Sequence, residues 1–266
     1  MPMHYLFTPE GDAALVAILR GRPLIALDFD GTLADIVDRP SDARIAPELA
    51  LRLATLTEHL PVAIVTGRSV DDVKGRLGFE PQMIVGNHGA EGGFDLREEA
   101  ARRAELDPLR RLLIAHQMQL SGAGIDIEDK GLSMALHYRL APDADKALTL
   151  ISDLLERLDY PVRTFAGKMV VNIVPLLAPD KGAAVHDLVA ACTASGALFA
   201  GDDVNDEPVF ESAPDHWLTI RVGQDHPESR AQYYINQPQE MQRLFDRMLS
   251  VLITPPASGT ASPAKP

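Results

Sequence analysis

The chain has 266 residues, of which 46% are hydrophobic and 24% are charged, a composition typical of a globular protein with one or two domains. Its formal charge of -13 at pH 7 disfavours a broad nucleic-acid surface, because phosphate backbones bind clustered Lys and Arg. The single cysteine, Cys192, excludes an intrachain disulfide. The sequence shows no secretory leader pattern and no apolar run of membrane-spanning length, so we expect a cytoplasmic protein that binds neither nucleic acid nor membranes.

The N-terminal part of the sequence alternates apolar runs with amphipathic segments. The apolar runs predict buried strands within 24–30, 61–68 and 82–91. The segments between them predict helices, one at 46–60 and one that begins after Ser69 as its N-cap. This β-α-β-α-β order is typical of a parallel sheet whose strands are joined by right-handed crossovers.

The middle of the sequence has a different pattern. It predicts a charged amphipathic helix at 102–119, a hairpin at 124–140, a second helix at 143–158 and a strand pair at 162–175. This succession of helix, hairpin, helix and hairpin indicates a small α+β unit inserted into the α/β domain.

The α/β pattern resumes after the insertion, with a helix at 180–192, a strand that begins at Ala197 and a late strand at 218–223. The last residues are rich in Pro, Ala, Ser and Gly, which predicts a disordered tail. We therefore divide the chain into a first core part, the inserted unit, a second core part and the tail, at 1–92, 93–175, 176–253 and 254–266.

Two aspartates end the first predicted strand, in the sequence LDFDGT. Alternation along the strand would place Asp28 and Asp30 on one side and Phe29 in the interior. At the carboxyl edge of a parallel sheet, that side faces the ligand crevice. Two carboxylates about 4 Å apart repel by roughly 4 kcal/mol at an effective dielectric near 20, so a proton or a cation must offset the repulsion. A solvated turn, in which Asp-Gly is common, would account for this stretch alone equally well.

A second acid cluster follows another predicted strand. The sequence FAGDDVNDE places Asp202, Asp203 and Asp206 directly after it, at the same edge of the sheet as the first pair. One acidic loop is usually a solvated surface, but two clusters at the ends of strands of one sheet offer four or five oxygen donors. Such a donor set suits Mg²⁺, which would also bind a phosphate oxygen.

Groups that can bind an anion lie at the end of another predicted strand and at the start of a predicted helix. The sequence VTGR supplies the Thr66 hydroxyl, the Gly67 backbone and the Arg68 side chain at a strand end. Lys181 stands at the start of a predicted helix, where backbone N–H groups and the helix dipole also favour an anion. With the two acid clusters, these residues indicate a phosphoryl-transfer site.

Four of these stretches, DFDGT, TGR, DKG and GDDVND, resemble the four sequence motifs of the haloacid dehalogenase (HAD) superfamily. The resemblance implies an α/β fold with a Rossmann-like parallel-sheet core and an inserted α+β cap. It also implies that Asp28 is the nucleophile, which forms an aspartyl-phosphate, and that Asp30 is the general acid/base. Thr66 would bind the transferring phosphate, and Lys181 would hold the nucleophile and the phosphate together.

The same resemblance implies Mg²⁺ as the cofactor. Asp28, Asp202 and the backbone carbonyl of Asp30 would be its ligands, and Asp203 and Asp206 would support them. This chemistry is physically reasonable, because a carboxylate nucleophile divides hydrolysis into two steps while a metal ion and a lysine stabilise charge on the transferring group.

The inserted unit resembles that of the trehalose-6-phosphate phosphatases, in the stretches GNHGAE, IEDKGLSMALHYR and GKMVVNIVP. The resemblance extends from about residue 23 to about residue 222. It implies that Glu128 and Lys130 bind the sugar, although EDKG alone would also suit a polar turn. Asn172 stands where this family usually has Glu, so its hydrogen bond to the sugar would be neutral and weaker by about 1 kcal/mol.

The predicted function is Mg²⁺-dependent hydrolysis of trehalose 6-phosphate to trehalose and phosphate. A capped phosphatase of another sugar or glycosyl phosphate is the nearest alternative. A receiver-like module that accepts phosphate on an aspartate is a third, although it would need no cap. A dehydrogenase is disfavoured because no G-x-G-x-x-G follows the first strand. The sequence leaves open the oligomeric state and the roles of His88, His137 and Arg139, which would suit a cleft or a packed hairpin equally.

Overall fold

The computed structural model describes residues 2–37, 39–92 and 96–254. Eleven strands occur in these ranges: β1 (His4–Tyr5), β2 (Leu24–Leu27), β3 (Val62–Val65), β4 (Met83–Val85), β5 (Asp126–Asp129), β6 (Met134–His137), β7 (Val162–Gly167), β8 (Val170–Pro175), β9 (Ala197–Gly201), β10 (Leu218–Val222) and β11 (Tyr233–Ile235). Ten α-helices accompany them in the same described ranges: α1 (Pro9–Leu19), α2 (Pro47–Thr57), α3 (Val70–Lys74), α4 (Leu96–Glu105), α5 (Asp107–Ala115), α6 (Gln117–Gly122), α7 (Ala144–Leu155), α8 (Lys181–Ala191), α9 (Glu207–Ser212) and α10 (Glu240–Ile253).

Seven strands form a parallel sheet in the order β1-β11-β10-β9-β2-β3-β4, which confirms the predicted α/β core. Every residue of β2, β3, β9 and β10 is buried. Strands β2, β3 and β9 are continuous apolar runs because helices cover both faces of the sheet, whereas β10 also carries the buried polar residues Thr219 and Arg221. Side chains of α1, α2 and α10 pack on one face, and those of α8 and α9 pack on the other.

Four strands form a separate antiparallel sheet in the order β5-β6-β8-β7. Apolar side chains of α5 and α7 pack against it and form a hydrophobic core distinct from that of the parallel sheet. This α+β unit is the predicted insertion, and we call it the cap. Its two hairpins agree with the prediction, with turns after Asp129 and after Gly167.

The prediction of one helix at 102–119 was wrong, because this stretch contains the end of α4, then α5 and α6. Pro108 lies in the first turn of α5, where the missing N–H of proline costs nothing. Inside a continuous helix the same residue would remove a hydrogen bond and clash with the preceding turn. The chain therefore ends one helix before Pro108 and starts another.

The cap lies against the carboxyl edge of the parallel sheet. The Lys130 ammonium, in the turn between β5 and β6, donates to the Gly67 carbonyl over 3.3 Å. The Lys168 ammonium, in the turn between β7 and β8, donates to Asp202 Oδ2 over 3.2 Å. Both cap turns therefore reach the loops that are predicted to bind phosphate and metal.

The proposed domain boundaries stay a prediction. The elements of the cap run from α4 to β8, and residues 93–95, at the proposed start of the insertion, lie outside the described residues. All but the first residue of the predicted disordered tail, 255–266, also lies outside them. Among the described helices, none has the length and apolar character that crossing a membrane requires.

Two leucines of helix α2 test how this helix packs on the parallel sheet. Leu53 is fully buried against the parallel sheet, whereas Leu51 on the same helix is 70% exposed. Leu53→Ala should lower the free energy of unfolding by about 2–5 kcal/mol, because it removes buried methyl groups and leaves a cavity. Leu51→Ala should change it by no more than about 0.5 kcal/mol. Urea unfolding of both variants would measure the difference, and equal losses would contradict the described packing.

Candidate active site

The chain turns sharply after β2 and presents the first acid pair. Asp28 still belongs to the sheet through its N–H, which donates to the Ala200 carbonyl over 2.9 Å, and its side chain is buried at the sheet edge. Phe29 is fully buried in the core, as predicted. The Asp30 side chain is 44% exposed. The two carboxylates therefore occupy different environments, one buried and one at the surface of the cleft.

Lys181 is the cation that offsets the charge of Asp28. Its ammonium donates to Asp28 Oδ1 and to Asp206 Oδ1, each over 2.7 Å, and the side chain is only 1% exposed. Helix α8 places it, because Asp180 caps the helix by accepting from the Ala183 N–H, and Lys181 follows directly. The structure therefore brings Lys181 and Asp28 into contact, and the predicted role of Lys181 toward phosphate stays a prediction.

Burial and the charge of the ion-pair partner shift the pKa values of Asp28 and of Lys181 in opposite directions. Burial raises the pKa of Asp28 well above its usual value, more than the positive charge of Lys181 lowers it. Burial works to lower the pKa of Lys181, but the carboxylates of Asp206 and Asp28 outweigh it and raise the pKa. Lys181 therefore stays charged, and a further cation near Asp28 would favour the ionised carboxylate that a nucleophile requires.

The second acid cluster supplies a site for such a cation. Ligand oxygens of Asp28, Asp202 and Asp206 lie within 4.8 Å of one another. Asp202 Oδ1 is buried and accepts no hydrogen bond from the described residues. Burial, with the nearby charge of Asp206, raises the pKa of Asp202 to about 7. A buried carboxylate oxygen without a hydrogen-bond partner, in a group of three carboxylates, fits a hard divalent cation, so this cluster could hold a metal ion.

Asp203 and Asp206 build the loop that carries Asp202. The Asp203 N–H donates to Asp206 Oδ2 over 3.0 Å, and Asp203 Oδ1 accepts from the Val204 N–H over 2.8 Å. The first of these bonds belongs to a capping box, in which the Asp203 side chain also accepts from the Asp206 N–H, around the short helical turn Val204–Asp206. Asp203 therefore shapes the loop, while Asp206 also binds Lys181.

Glycine is required where the two acid clusters meet. Gly31 has φ +79°, and a Cβ atom on it would lie 2.1 Å from Asp202 Oδ2. Any other residue would force the Asp202 carboxylate to move. The DFDGT turn and the Asp202 loop thus fit together only through this residue.

The TGR segment follows β3 at the same edge. Thr66 is buried, and its hydroxyl oxygen accepts from the Arg68 N–H over 3.2 Å. A Cβ atom on Gly67 would lie 2.3 Å from the His88 ring, so the residue lets this imidazole approach the loop. The Arg68 guanidinium, predicted to bind phosphate, pairs with both oxygens of Asp30 over 2.7 Å each. Its role toward phosphate stays a prediction.

The three predicted cap residues lie at different depths. Glu128 Oε2 is 2.8 Å from His137 Nε2 and 3.8 Å from the Lys130 ammonium, and the hydrogen bond from His137 lowers the pKa of Glu128. Lys130 also contacts the Gly67 carbonyl. Asn172 is buried on β8, paired with Phe165 on β7. Sugar binding by these residues remains a prediction.

The structure assigns places to the residues that the sequence left open. His88 is buried edge-on against Phe165, with 4.7 Å between ring centroids, and neither ring nitrogen has a hydrogen-bond partner among the described residues. Burial, and then the charges of Lys181 and Lys130, lower its pKa, so the ring is neutral at pH 7. His137 contacts Glu128, and Arg139 is exposed in the turn after β6.

Sequence reasoning missed Lys168, whose ammonium reaches Asp202 from the cap. The residue lies within the stretch GKMVVNIVP, but nothing in that pattern shows which core residue the hairpin turn approaches. It also missed Asp72, which binds Arg68 Nη1 over 2.7 Å. Its position three residues after the N-cap Ser69 indicates an ordinary first-turn acid.

A parallel sheet with an inserted cap, and a buried acid–lysine cluster at its carboxyl edge, define a capped phosphatase of the HAD type. The family model described as trehalose-phosphatase matches residues 26–238. This match covers most of the chain, so the chain belongs to the trehalose-phosphatase family. It is therefore an enzyme, a phosphatase.

Individual relatives agree with this membership. A probable trehalose-phosphate phosphatase of Sinorhizobium fredii is 38% identical over 213 residues, which cover 77% of this chain and 79% of that protein. A trehalose-phosphate phosphatase of Mycobacterium tuberculosis is 28% identical over 253 residues. That match covers 90% of this chain but only 64% of the mycobacterial protein, less than two thirds of its length. A crystal structure of a trehalose-6-phosphate phosphatase related protein has a TM-score of 0.70 at 27% identity, covering 86% of this chain and 98% of that one.

Removing the buried cation should have a large effect on stability. Lys181→Met should lower the free energy of unfolding by about 3–5 kcal/mol in metal-free buffer, because it leaves two buried carboxylates without their partner. The loss should shrink as the pH falls, since protonation removes the uncompensated charge. Lys168→Met is the control: that side chain is half exposed, so its ion pair should contribute no more than about 1 kcal/mol. Equal losses in chemical denaturation would contradict this account.

Proposed function

We propose that the protein hydrolyses trehalose 6-phosphate to trehalose and phosphate. The observation that carries the proposal is the buried contact between Lys181 and Asp28, with Asp202 beside them, beneath the two cap turns. Membership of the trehalose-phosphatase family supports the choice of sugar. We also propose that the substrate is a small molecule free in the cytoplasm.

Mg²⁺ is the metal that this donor set fits best, because all the candidate ligands are oxygens. Asp28, Asp202 and the backbone carbonyl of Asp30 would hold it, and Asp206 and Asp203 would keep the Asp202 loop in place. When bound, such an ion supplies positive charge that stabilises the oxygens of the transferring phosphate.

The chain's own residues account for the two chemical steps. In the first step, an Asp28 carboxylate oxygen attacks phosphorus, the bond from phosphorus to the sugar oxygen breaks, and Asp30 donates its proton to that oxygen. In the second step, Asp30 takes a proton from water, the water oxygen attacks phosphorus, and the bond to Asp28 breaks. Lys181 neutralises charge throughout, and the Thr66 hydroxyl would donate to a phosphate oxygen.

The cap would recognise the sugar. Glu128 and Lys130 lie on one hairpin of the cap, and Asn172 lies on the other. Carboxylate, ammonium and amide groups can together donate to and accept from several sugar hydroxyls. By contacting both the core and the sugar, the cap would also exclude water from phosphoryl transfer.

Asn172 is the observation that favours a second candidate. A neutral amide at this buried position gives the cap one carboxylate fewer for hydroxyl groups. A phosphatase of another sugar or glycosyl phosphate therefore remains the alternative function. A receiver-like module does not fit a member of a phosphatase family that carries a cap.

A panel of sugar phosphates tests the substrate. Phosphate release should be fastest with trehalose 6-phosphate, with kcat/KM about 100-fold above glucose 6-phosphate or sucrose 6-phosphate, because buried polar groups reject a sugar that leaves them unpaired. EDTA should abolish the activity and Mg²⁺ should restore it. A flat profile would reject trehalose 6-phosphate as the specific substrate, and full activity in EDTA would reject the metal.

Replacing the nucleophile tests the mechanism. Asp28→Asn should lower kcat by about 1,000-fold or more, because an amide cannot form the acyl-phosphate. The fold should persist, since Lys181 keeps its bond to Asp206. Asp35→Asn is the matched control: it makes the same change at an exposed residue seven positions after Asp28, and this variant should keep its activity. Turnover by the Asp28 variant at the wild-type rate would show that another group attacks phosphorus.

A further inference from the structure

The Arg68 guanidinium is almost fully occupied by protein groups. Nε and Nη2 donate to the two oxygens of Asp30 over 2.7 Å each, and Nη1 donates to Asp72 Oδ2 over 2.7 Å. Nη2 also donates to the Pro40 carbonyl over 2.9 Å. These four bonds leave one of the five guanidinium N–H groups for anything else. Its carbon lies 5.2 Å from the centroid of the Phe29 ring. Contacts on several sides therefore hold the Arg68 side chain in one orientation.

Asp72 is itself held from a second side. The Arg76 guanidinium donates to both of its carboxylate oxygens through Nη2 and Nε, and to its backbone carbonyl over 3.0 Å. Arg76 also donates to the Ser41 carbonyl over 2.6 Å. Burial works to raise the pKa of Asp72, but hydrogen bonds from Arg76 and Arg68 outweigh it and lower the pKa. Asp72 is therefore a charged group of fixed position on α3.

We propose that Asp72 is a positioning residue for proton transfer: it fixes the Arg68 guanidinium, which in turn fixes the carboxylate of Asp30. The inference rests on the proposed role of Asp30 as the general acid/base. A bidentate contact with a guanidinium sets the plane of a carboxylate as well as its position. Asp30 needs this support, because its partly exposed side chain is otherwise free to adopt several rotamers.

This arrangement assigns Arg68 to Asp30 in place of the substrate phosphate. Small errors in the position of a catalytic group slow reactions strongly, so supports behind such a group matter even when they never touch substrate. The order of contacts runs from Arg76 to Asp72, then to Arg68 and Asp30. Each link joins groups of opposite charge when Asp30 is ionised, the form in which it would accept a proton from water.

The leaving group distinguishes this role from a purely structural one. A sugar alkoxide is a poor leaving group and needs a proton from Asp30, whereas p-nitrophenolate leaves without one. The ratio kcat/KM reports only steps up to the first irreversible one, here transfer of phosphate to Asp28. A defect in the positioning of Asp30 should therefore lower kcat/KM for a sugar phosphate and spare p-nitrophenyl phosphate.

The test compares Asp72→Asn with wild type on trehalose 6-phosphate and p-nitrophenyl phosphate, in the full chain with Mg²⁺. We expect kcat/KM for the sugar phosphate to fall about 10-fold, part of the about 100-fold or more that general acid catalysis contributes. The fall should appear in kcat, with KM within about twofold of wild type. The value for p-nitrophenyl phosphate should also stay within about twofold. Asp71→Asn, the same charge change at the neighbouring exposed position of α3, is the control and should leave both substrates unaffected.

Arg76→Gln is a second variant. It should lower kcat/KM for the sugar phosphate by a smaller factor and leave the value for p-nitrophenyl phosphate within about twofold. If Asp72→Asn does not fold, this variant tests the inference. Equal losses on both substrates, a loss confined to KM, or no loss on either would overturn the inference. Failure of the proposed substrate gives a different result: wild type would then prefer another sugar phosphate, and the same comparison would be made with that compound.

Discussion

The buried ion pair network of Lys181 with Asp28 and Asp206 is the constraint on which the rest of the site depends. Three charges share a space from which water is excluded, where an unpaired charge is costly and a paired one is tightly held. The network joins the end of β2, the start of α8 and the loop after β9. Because β2 and β9 are neighbours in the parallel sheet, their carboxyl ends bring the acids together. The fold thus holds the Asp28 carboxylate, the proposed nucleophile, in place without any ligand.

The two aspartates of the DFDGT turn lie in different environments around this network. Asp28 is buried and bound to Lys181, and one of its oxygens lies within 4.8 Å of an Asp202 oxygen, which suits the proposed attack on phosphorus with a metal ion bound nearby. Asp30 is partly exposed and bound to Arg68, which suits exchange of a proton with substrate or water. Two identical residues separated by one position thereby acquire different chemistry from their environments alone.

Much of the fold was predictable from local pattern, and the failures have physical causes. The buried strands β2, β3 and β9 are continuous apolar runs, and Ser69 caps α3 as expected. The edge strand β1 and its neighbour β11 were missed because they have only two and three residues, too few for a periodicity. The single helix expected at 102–119 failed because Pro108 outweighs the helical pattern around it. The structure brings Asp28, Lys181 and Asp202 together at the sheet edge, and their functional roles stay a prediction; the partner of Arg68 was not identified from the sequence.

The sequence by itself determined the chemistry available to this protein: which residues end the strands, their order, and the insertion of a cap between two motifs. These features are readable because strand ends in a parallel sheet face one edge whatever the details of packing. Only the tertiary structure decided which charges pair. Arg68 meets Asp30, Lys168 meets Asp202, and His88 is buried against Phe165 because side chains distant in sequence compete for the same space. Such choices depend on distances of a few ångströms between separate elements, which no local pattern records.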